Sequence, residues 1–377
     1  MTDTLAPANP RRFTALDVFR GLTVFLMILV NTAGPGAPAY PALVHAKWFG
    51  FTLADAIFPS FLFAMGNAMS FATRRRIDTA PYLTRLFKRG AIIFALGFLM
   101  YWFPFVKHTD AGWAPIPFAL TRVPGVLQRI ALCYVAAGLM VRWLDVRAIV
   151  IASVVLLLGY WAMLLFLSAP GMAYDKFATV GTRLDLWLLG PGHLYKKDSG
   201  FDPEGLLGTL PAIVNVLAGY LAGLAVQRGP SLSRTVRMMA LAGAALVVAG
   251  LAWSPWFPIA KKLWTGSYVL LTIGIDCVAL AGVIALVEIA GMRRGTRFFT
   301  ILGRNPLAIY LFSELFVTAI NLIPTDPDGG LYDWVGVELF QRVAPGAFGS
   351  LLCAFAYTML CWAVGWWMDR KGLILKA

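Results

Sequence analysis

Apolar residues run along this chain in unbroken blocks of about twenty, with short polar stretches between them. That is the length a helix needs to cross a hydrocarbon core of roughly 30 Å. The blocks fall at 13–33, 52–73, 88–106, 121–142, 147–168, 206–227, 235–253, 266–290, 301–323 and 349–368. The pattern predicts an all-α, polytopic transmembrane bundle of about ten helices. Strict alternation of apolar and polar residues, the mark of a membrane barrel, does not occur. Residues 1–12 read as a polar, proline-bearing tail, 13–370 as one transmembrane domain and 371–377 as a second tail. The connection at 169–205 is too long for a simple turn and is expected to be functional.

Polar residues punctuate the blocks in an orderly way. The two tails and alternate loops hold about twice as many Lys and Arg as the opposite loops. By the positive-inside rule both termini are expected in the cytoplasm, in a multi-pass protein of a bacterial inner membrane. Asn31, His45, Asp55, Arg122 and the 169–205 segment then face the outside; Asp17, Arg20, Arg74–Arg76 and Asn305 face the inside. Arg11, Arg12 and the first block outline a secretory signal with Ala37 and Ala39 as its cleavage site. Asp17 and Arg20 interrupt the supposed hydrophobic core, so that reading is rejected.

Composition agrees. The chain is 59% hydrophobic and 14% charged, where soluble domains carry roughly 25% charged residues. A net charge of +13 placed in alternate loops marks topology and no nucleic-acid partner. Cys133, Cys277, Cys353 and Cys361 all lie inside apolar blocks, as small core residues, and no metal site is expected. Gly219 and Gly223 form a GxxxG pair, which marks either a homodimer face or close packing within the bundle.

Chemistry must come from the polar residues the membrane tolerates. His45 lies in the loop between the first two blocks and Asp55 begins the second, at a membrane face where ionisable groups are functional candidates. Together they supply the base and orienting carboxylate that nucleophile activation requires, if the fold joins them. Asn31 can offer its amide to an oxyanion or a substrate hydroxyl, or can simply end a helix. Arg20, Arg129, Asp276 and Glu314 lie within the apolar blocks. Asp17 and Arg20, three apart, can pair locally. Arg129 has no acidic neighbour in its own helix and is expected to meet Glu314 or Asp276. Arg20 and Arg74–Arg76 can hold phosphates, or, for the triplet, mark topology and anionic lipid. Neither a glycine-rich phosphate fingerprint nor a serine nucleophile elbow occurs.

Ordered motifs spread over nearly the whole chain carry a resemblance. LDVFRGLTVFLMILVN at 16–31, HAKWFGFTLADAIFPSFLFAMG at 45–66, RVPGVLQRIALCY at 122–134, GHLYKKDSGFDPEGLLGTLPAIV at 192–214, KKLWTGSYVLLT at 261–272 and GRNPLAIYLFSELF at 303–316 resemble blocks of the heparan-α-glucosaminide N-acetyltransferase-like membrane acyltransferases. The resemblance implies transfer of acetyl from cytoplasmic acetyl-CoA to an amino sugar or related glycan on the far side, with no metal. It places the catalytic histidine on His45, joined by Asn31 and Asp55. Arg122, Asp202, Glu204 and Trp48 are the expected acceptor-binding residues; Arg20, Arg129, Asn305 and Arg74 are expected to bind acetyl-CoA. The chain departs from the animal enzyme in lacking an extra N-terminal luminal region and first helix, and in a longer, Gly- and Pro-rich loop between Asn31 and His45. An acetyl-His45 intermediate and a ternary complex with His45 as general base both remain open. The rival class is a secondary transporter of a small polar solute, against which stands the lack of an internal repeat.

Overall fold

The computed structural model describes residues 13–72, 78–109, 112–198, 200–326 and 329–375; Arg74–Arg76 lie outside them. The helices are α1 Thr14–Asn31, α2 Leu53–Ala72, α3 Thr79–Trp102, α4 Val126–Trp143, α5 Val146–Leu167, α6 Val180–Leu189, α7 Thr209–Arg228, α8 Leu232–Trp253, α9 Gly266–Ile284, α10 Thr296–Arg304, α11 Pro306–Ile320, the short α12 Leu331–Trp334 and α13 Gln341–Val343, and α14 Ala347–Arg370. Two small antiparallel hairpins interrupt them, β1 Val106–Thr109 with β2 Gly112–Pro115 and β3 Pro324–Asp326 with β4 Gly329–Gly330. Among the described residues, seven helices are long and apolar enough to cross a membrane: α1, α4, α5, α7, α8, α9 with the π turn that extends it to Ile289, and α14. The lipid-facing character shows on α5 and α8, where Ile151, Val155, Phe166, Leu241 and Val248 point outward, exposed.

Several boundaries differ from the sequence pattern, each for a local reason. The block expected at 301–323 breaks at Asn305. Pro306 disfavours helical geometry in the residue before it and suits the first position of a new helix, so α10 ends and α11 begins there. α4 starts at Val126, after Pro124 and Gly125. α3 begins at Thr79, because its first turns are polar and hydropathy cannot see them. The 169–205 connection holds α6, capped by the Thr179 hydroxyl, which accepts from the Thr182 N–H.

Two close crossings set the frame for the site. Gly66 of α2 and Gly219 of α7 lie against each other's helix backbone: a Cβ on Gly66 would stand 1.8 Å from the Val216 carbonyl oxygen, and one on Gly219 1.9 Å from that of Phe63. The GxxxG pair is therefore used inside the chain, against α2. α1 crosses α10 as closely, through Gly21 and Gly303.

Candidate active site

Asp55 is positioned by the start of its own helix. Its Oδ2 accepts from the Thr52 N–H at 3.0 Å, the Thr52 hydroxyl at 3.1 Å and the Ala46 N–H at 3.2 Å. Thr52 and Asp55, three apart, thus make half of a capping box. That leaves Oδ1 to face His45, whose Nδ1 lies 2.9 Å away. Pro59, one turn further on, has no N–H to give the Asp55 carbonyl. The Tyr268 hydroxyl donates to that carbonyl instead, at 2.7 Å, and ties α9 to the site. The Asp55 side chain is 1% exposed and that of His45 43% exposed. Since Asp55 accepts, Nδ1 carries the hydrogen, and the Nε2 lone pair of His45 is free to act as base or nucleophile.

Lys261 completes the group. Its Nζ lies 3.0 Å from both ring nitrogens of His45 and 3.9 Å from Asp55 Oδ1. Burial pushes its ammonium down to about 8, against the pull of Asp55 and Glu204 in the other direction. The sequence reading did not single out Lys261; the available signal was its place at the head of the KKLWTG motif, directly before an apolar helix.

His45, Lys261 and Asn31 line one cavity of about 410 Å³, together with Ile57, Phe58, Tyr101, Val126, Glu204 and Tyr310. One wall is an ionic cluster. Arg122 grips Asp202 through Nε and Nη2, at 2.9 and 2.6 Å, and reaches Glu204 with Nη2. Its guanidinium is held between the rings of Tyr101 and Tyr195, 4.8 and 4.5 Å from their centroids. Burial would raise the Glu204 carboxyl, but Arg122, Arg129 and Lys261 outweigh it and hold it below the usual range. Behind this wall Asp185 accepts from the Leu206 N–H at 2.9 Å. Burial pushes its carboxyl up to about 6.

The other expected residues spread out. Asn31 donates to Glu314 Oε1 at 3.0 Å, and Asp276 pairs with Ser60. Arg129 therefore meets neither carboxylate, contrary to expectation. α4 turns its first turn toward the loop before α7, so Arg129 donates to the Gly205 carbonyl at 2.8 Å and lies over the Trp264 ring, at the His45 end of the bundle. Trp48 donates to the Tyr174 carbonyl at 3.0 Å and lines a neighbouring open hollow with Phe49 and Lys176.

Arg20 lies at the opposite end of α1. It donates to the Gly303 carbonyl at 3.1 Å, with Asp17 Oδ1 at 3.5 Å. There a second cavity, of about 270 Å³, is lined by Arg20, Arg89 and Arg304, with Phe61, Leu127 and Leu307 deeper in. Asn305 bonds Leu373 and Leu375 and so fixes the C-terminal segment that closes part of this cavity. The two cavities share the walls α1, α2, α3, α4 and α11. Their linings come closest on α4, where Val126 and Leu127 are neighbours, and on α2 and α11, where Phe58 and Phe61, and Tyr310 and Leu307, lie about one turn apart; on α1 and α3 they are about two turns apart.

The chain is similar to known proteins over most of its length. The chain is 27% identical over 365 residues to the human protein named heparan-alpha-glucosaminide N-acetyltransferase, covering 82% of this chain and 54% of that protein. To the mouse protein of the same name it is 26% identical over 367 residues, with the same coverage. The chain thus spans about half the length of the curated relatives it matches. The family described as "Heparan-alpha-glucosaminide N-acetyltransferase, catalytic" matches residues 12–244, a stretch that holds His45, Asp55, Arg122 and Glu204. With more than half of the chain inside that match, the protein belongs to the heparan-alpha-glucosaminide N-acetyltransferase catalytic family.

Proposed function

We propose that this protein is a transmembrane acetyltransferase that moves an acetyl group from cytoplasmic acetyl-CoA to the amine of an amino sugar, or to a related glycan, outside. The observation that carries the reading is the stacking of two cavities along the same five helices. One has arginines at its mouth, and the other holds the His45–Asp55 pair. In this reading ten helices cross the membrane with both termini inside. α2, α3 and α10–α11 are the three beyond the seven recognised by length and hydropathy.

The charged head of CoA cannot enter hydrocarbon, whereas its thin, uncharged arm can pass between helices. Arg20, Arg89 and Arg304 suit its phosphates, with Arg74 a further candidate. The thioester then reaches Nε2 of His45 past the place where the two cavities come closest, between α2, α4 and α11. Overall, the thioester C–S bond breaks and a C–N bond to the acceptor amine forms. The amine proton passes to His45 Nε2 and leaves with the CoA sulfur as the thiol. Nε2 acts either as general base on the amine or first as acyl carrier. The Arg122–Asp202–Glu204 wall and Trp48 are the places for a polyhydroxylated acceptor, with carboxylates to receive its ammonium and hydroxyls.

The test is acetyl transfer from labelled acetyl-CoA to a panel of amino sugars by protein in liposomes. His45→Ala should abolish transfer while binding of acetyl-CoA persists. Stability should fall by no more than about 1–3 kcal/mol, the cost of leaving the buried Asp55 Oδ1 without the imidazole. Near-normal transfer by His45→Ala would overturn the reading and return the transporter alternative.

A further inference from the structure

We propose that Lys261 is a catalytic residue: its ammonium stabilises the negative charge that develops on the acyl oxygen as the thioester is attacked beside His45. The inference rests on the proposed acetyl transfer, and Lys261 lies beyond the residues 12–244 that match the family.

The geometry carries it. A point 3.0 Å from both Nδ1 and Nε2 cannot lie in the imidazole plane without striking ring carbon, so the ammonium stands over the ring face. The in-plane lone pair of Nε2 stays open to an incoming amine or acyl carbon. As that carbon becomes tetrahedral its oxygen leaves the carbonyl plane, and a cation over the face of the base can receive it. Two other cations of the cavity wall are committed. Arg122 is bound by Asp202 and Glu204, and Lys262 by Asp198 at 2.7 Å. The Asn31 amide, the other candidate for this duty, donates to Glu314. Lys261 is only 15% exposed, so its charge is little screened, and donors in such a site are worth far more than in water. In charge balance, the electron pair of the thioester C=O moves to oxygen beside Nζ–H, then returns as the C–S bond breaks, and Lys261 keeps its proton throughout.

The facing groups set the pH behaviour. Asp55 and Glu204 favour the ammonium; Lys262, Arg129 and above all burial oppose it, leaving it near 8; His45 is its direct neighbour. The charge needed for turnover is therefore lost as pH rises through about 8. Lys261→Arg keeps a cation at all these pH values.

The experiment measures kcat and acetyl-CoA KM for wild type, Lys261→Met and Lys261→Arg, with saturating amino-sugar acceptor. Lys261→Met should lose on the order of 10²-fold in kcat with little change in KM. Lys261→Arg should recover a substantial part. The ratio of wild-type to Lys261→Arg kcat should fall above about pH 8, a comparison in which ionisation of the acceptor cancels. A ratio that instead rises through pH 8 would make Lys261 a base or a cap on His45 and overturn the proposal; this arm does not depend on how Lys261→Met folds. Lys261→Met with normal kcat, while His45→Ala is dead, would overturn it and leave acetyl transfer at His45 intact. An active His45→Ala would bring down the parent reading instead.

Discussion

Replacing Asp55 with Asn probes the site at its most constrained atom. Three donors, the Thr52 N–H, the Ala46 N–H and the Thr52 hydroxyl, converge on Oδ2, whereas Oδ1 faces only the imidazole and, at 3.9 Å, Lys261. An asparagine has one oxygen, and reversing it would set its NH₂ against the two backbone donors, at a cost of about 1–3 kcal/mol for each buried group left unpaired. The oxygen will therefore take the Oδ2 place and the NH₂ will face Nδ1. It then donates to Nδ1 and forces the hydrogen of a neutral ring onto Nε2, where neither base nor nucleophile can have it. A wrong tautomer of this kind costs about 10⁴-fold in kcat in a triad, or roughly 5.4 kcal/mol of barrier. We expect Asp55→Asn to lose about 10³- to 10⁴-fold in acetyl transfer with a near-normal melting temperature. Asp55→Ala provides the contrast: it frees the ring to choose its tautomer but abandons the cap. It should keep more activity than Asn and less stability, by about 1–3 kcal/mol. Turnover and thermal melts of the two purified variants decide the matter. Asp55→Asn within tenfold of wild type, or more active than Asp55→Ala, would refute the tautomer argument.

Arg122→Met strands a completely buried Asp202 side chain beside Glu204, so unfolding should become easier by about 3–5 kcal/mol, and Arg122→Lys should recover little because the grip is bidentate; chemical denaturation in detergent reads both. Asp185 has its carboxyl raised from 3.8 to about 6, which means its contribution is greatest below pH 4 and is lost as pH rises through 6. Asp185→Asn, which keeps the acceptor for the Leu206 N–H, should therefore stabilise the protein at pH 7 by roughly 1–3 kcal/mol, at 1.36 kcal/mol per pKa unit; melts at pH 5 and 7 should show the gain shrinking on the acid side. Arg89→Ala, at the mouth of the second cavity, should weaken acetyl-CoA binding by about 10- to 100-fold, the worth of a charge-assisted bond, as measured by calorimetry; unchanged affinity would clear Arg89 of the role.

Much of this protein is set by its sequence alone. A chain with blocks of twenty apolar residues has few ways to satisfy its backbone in lipid, so the helices followed from hydropathy. Their polar ends did not: α3 starts well before its apolar block, and the break at Asn305 rests on Pro306, which hydropathy ignores. His45, Asp55 and Asn31 stood out as candidates because polar groups beside apolar blocks are few and the flanking motifs resemble a known family, and the structure pairs His45 with Asp55 and sets Asn31 on the same cavity. What only the tertiary structure decided is which charges meet. Arg129 turned to a backbone carbonyl and an indole, since its position in the first turn of α4 faces the loop before α7 and neither Glu314 nor Asp276. Lys261, 216 residues from His45 in the chain, reaches the imidazole because it lies just before α9, which packs against α2. Side-chain contacts between helices depend on crossing geometry and rotation about each axis, set here by pairs such as Gly66 and Gly219. Hydropathy gives the spans their lengths, and it takes the packing of those spans to give the site its neighbours.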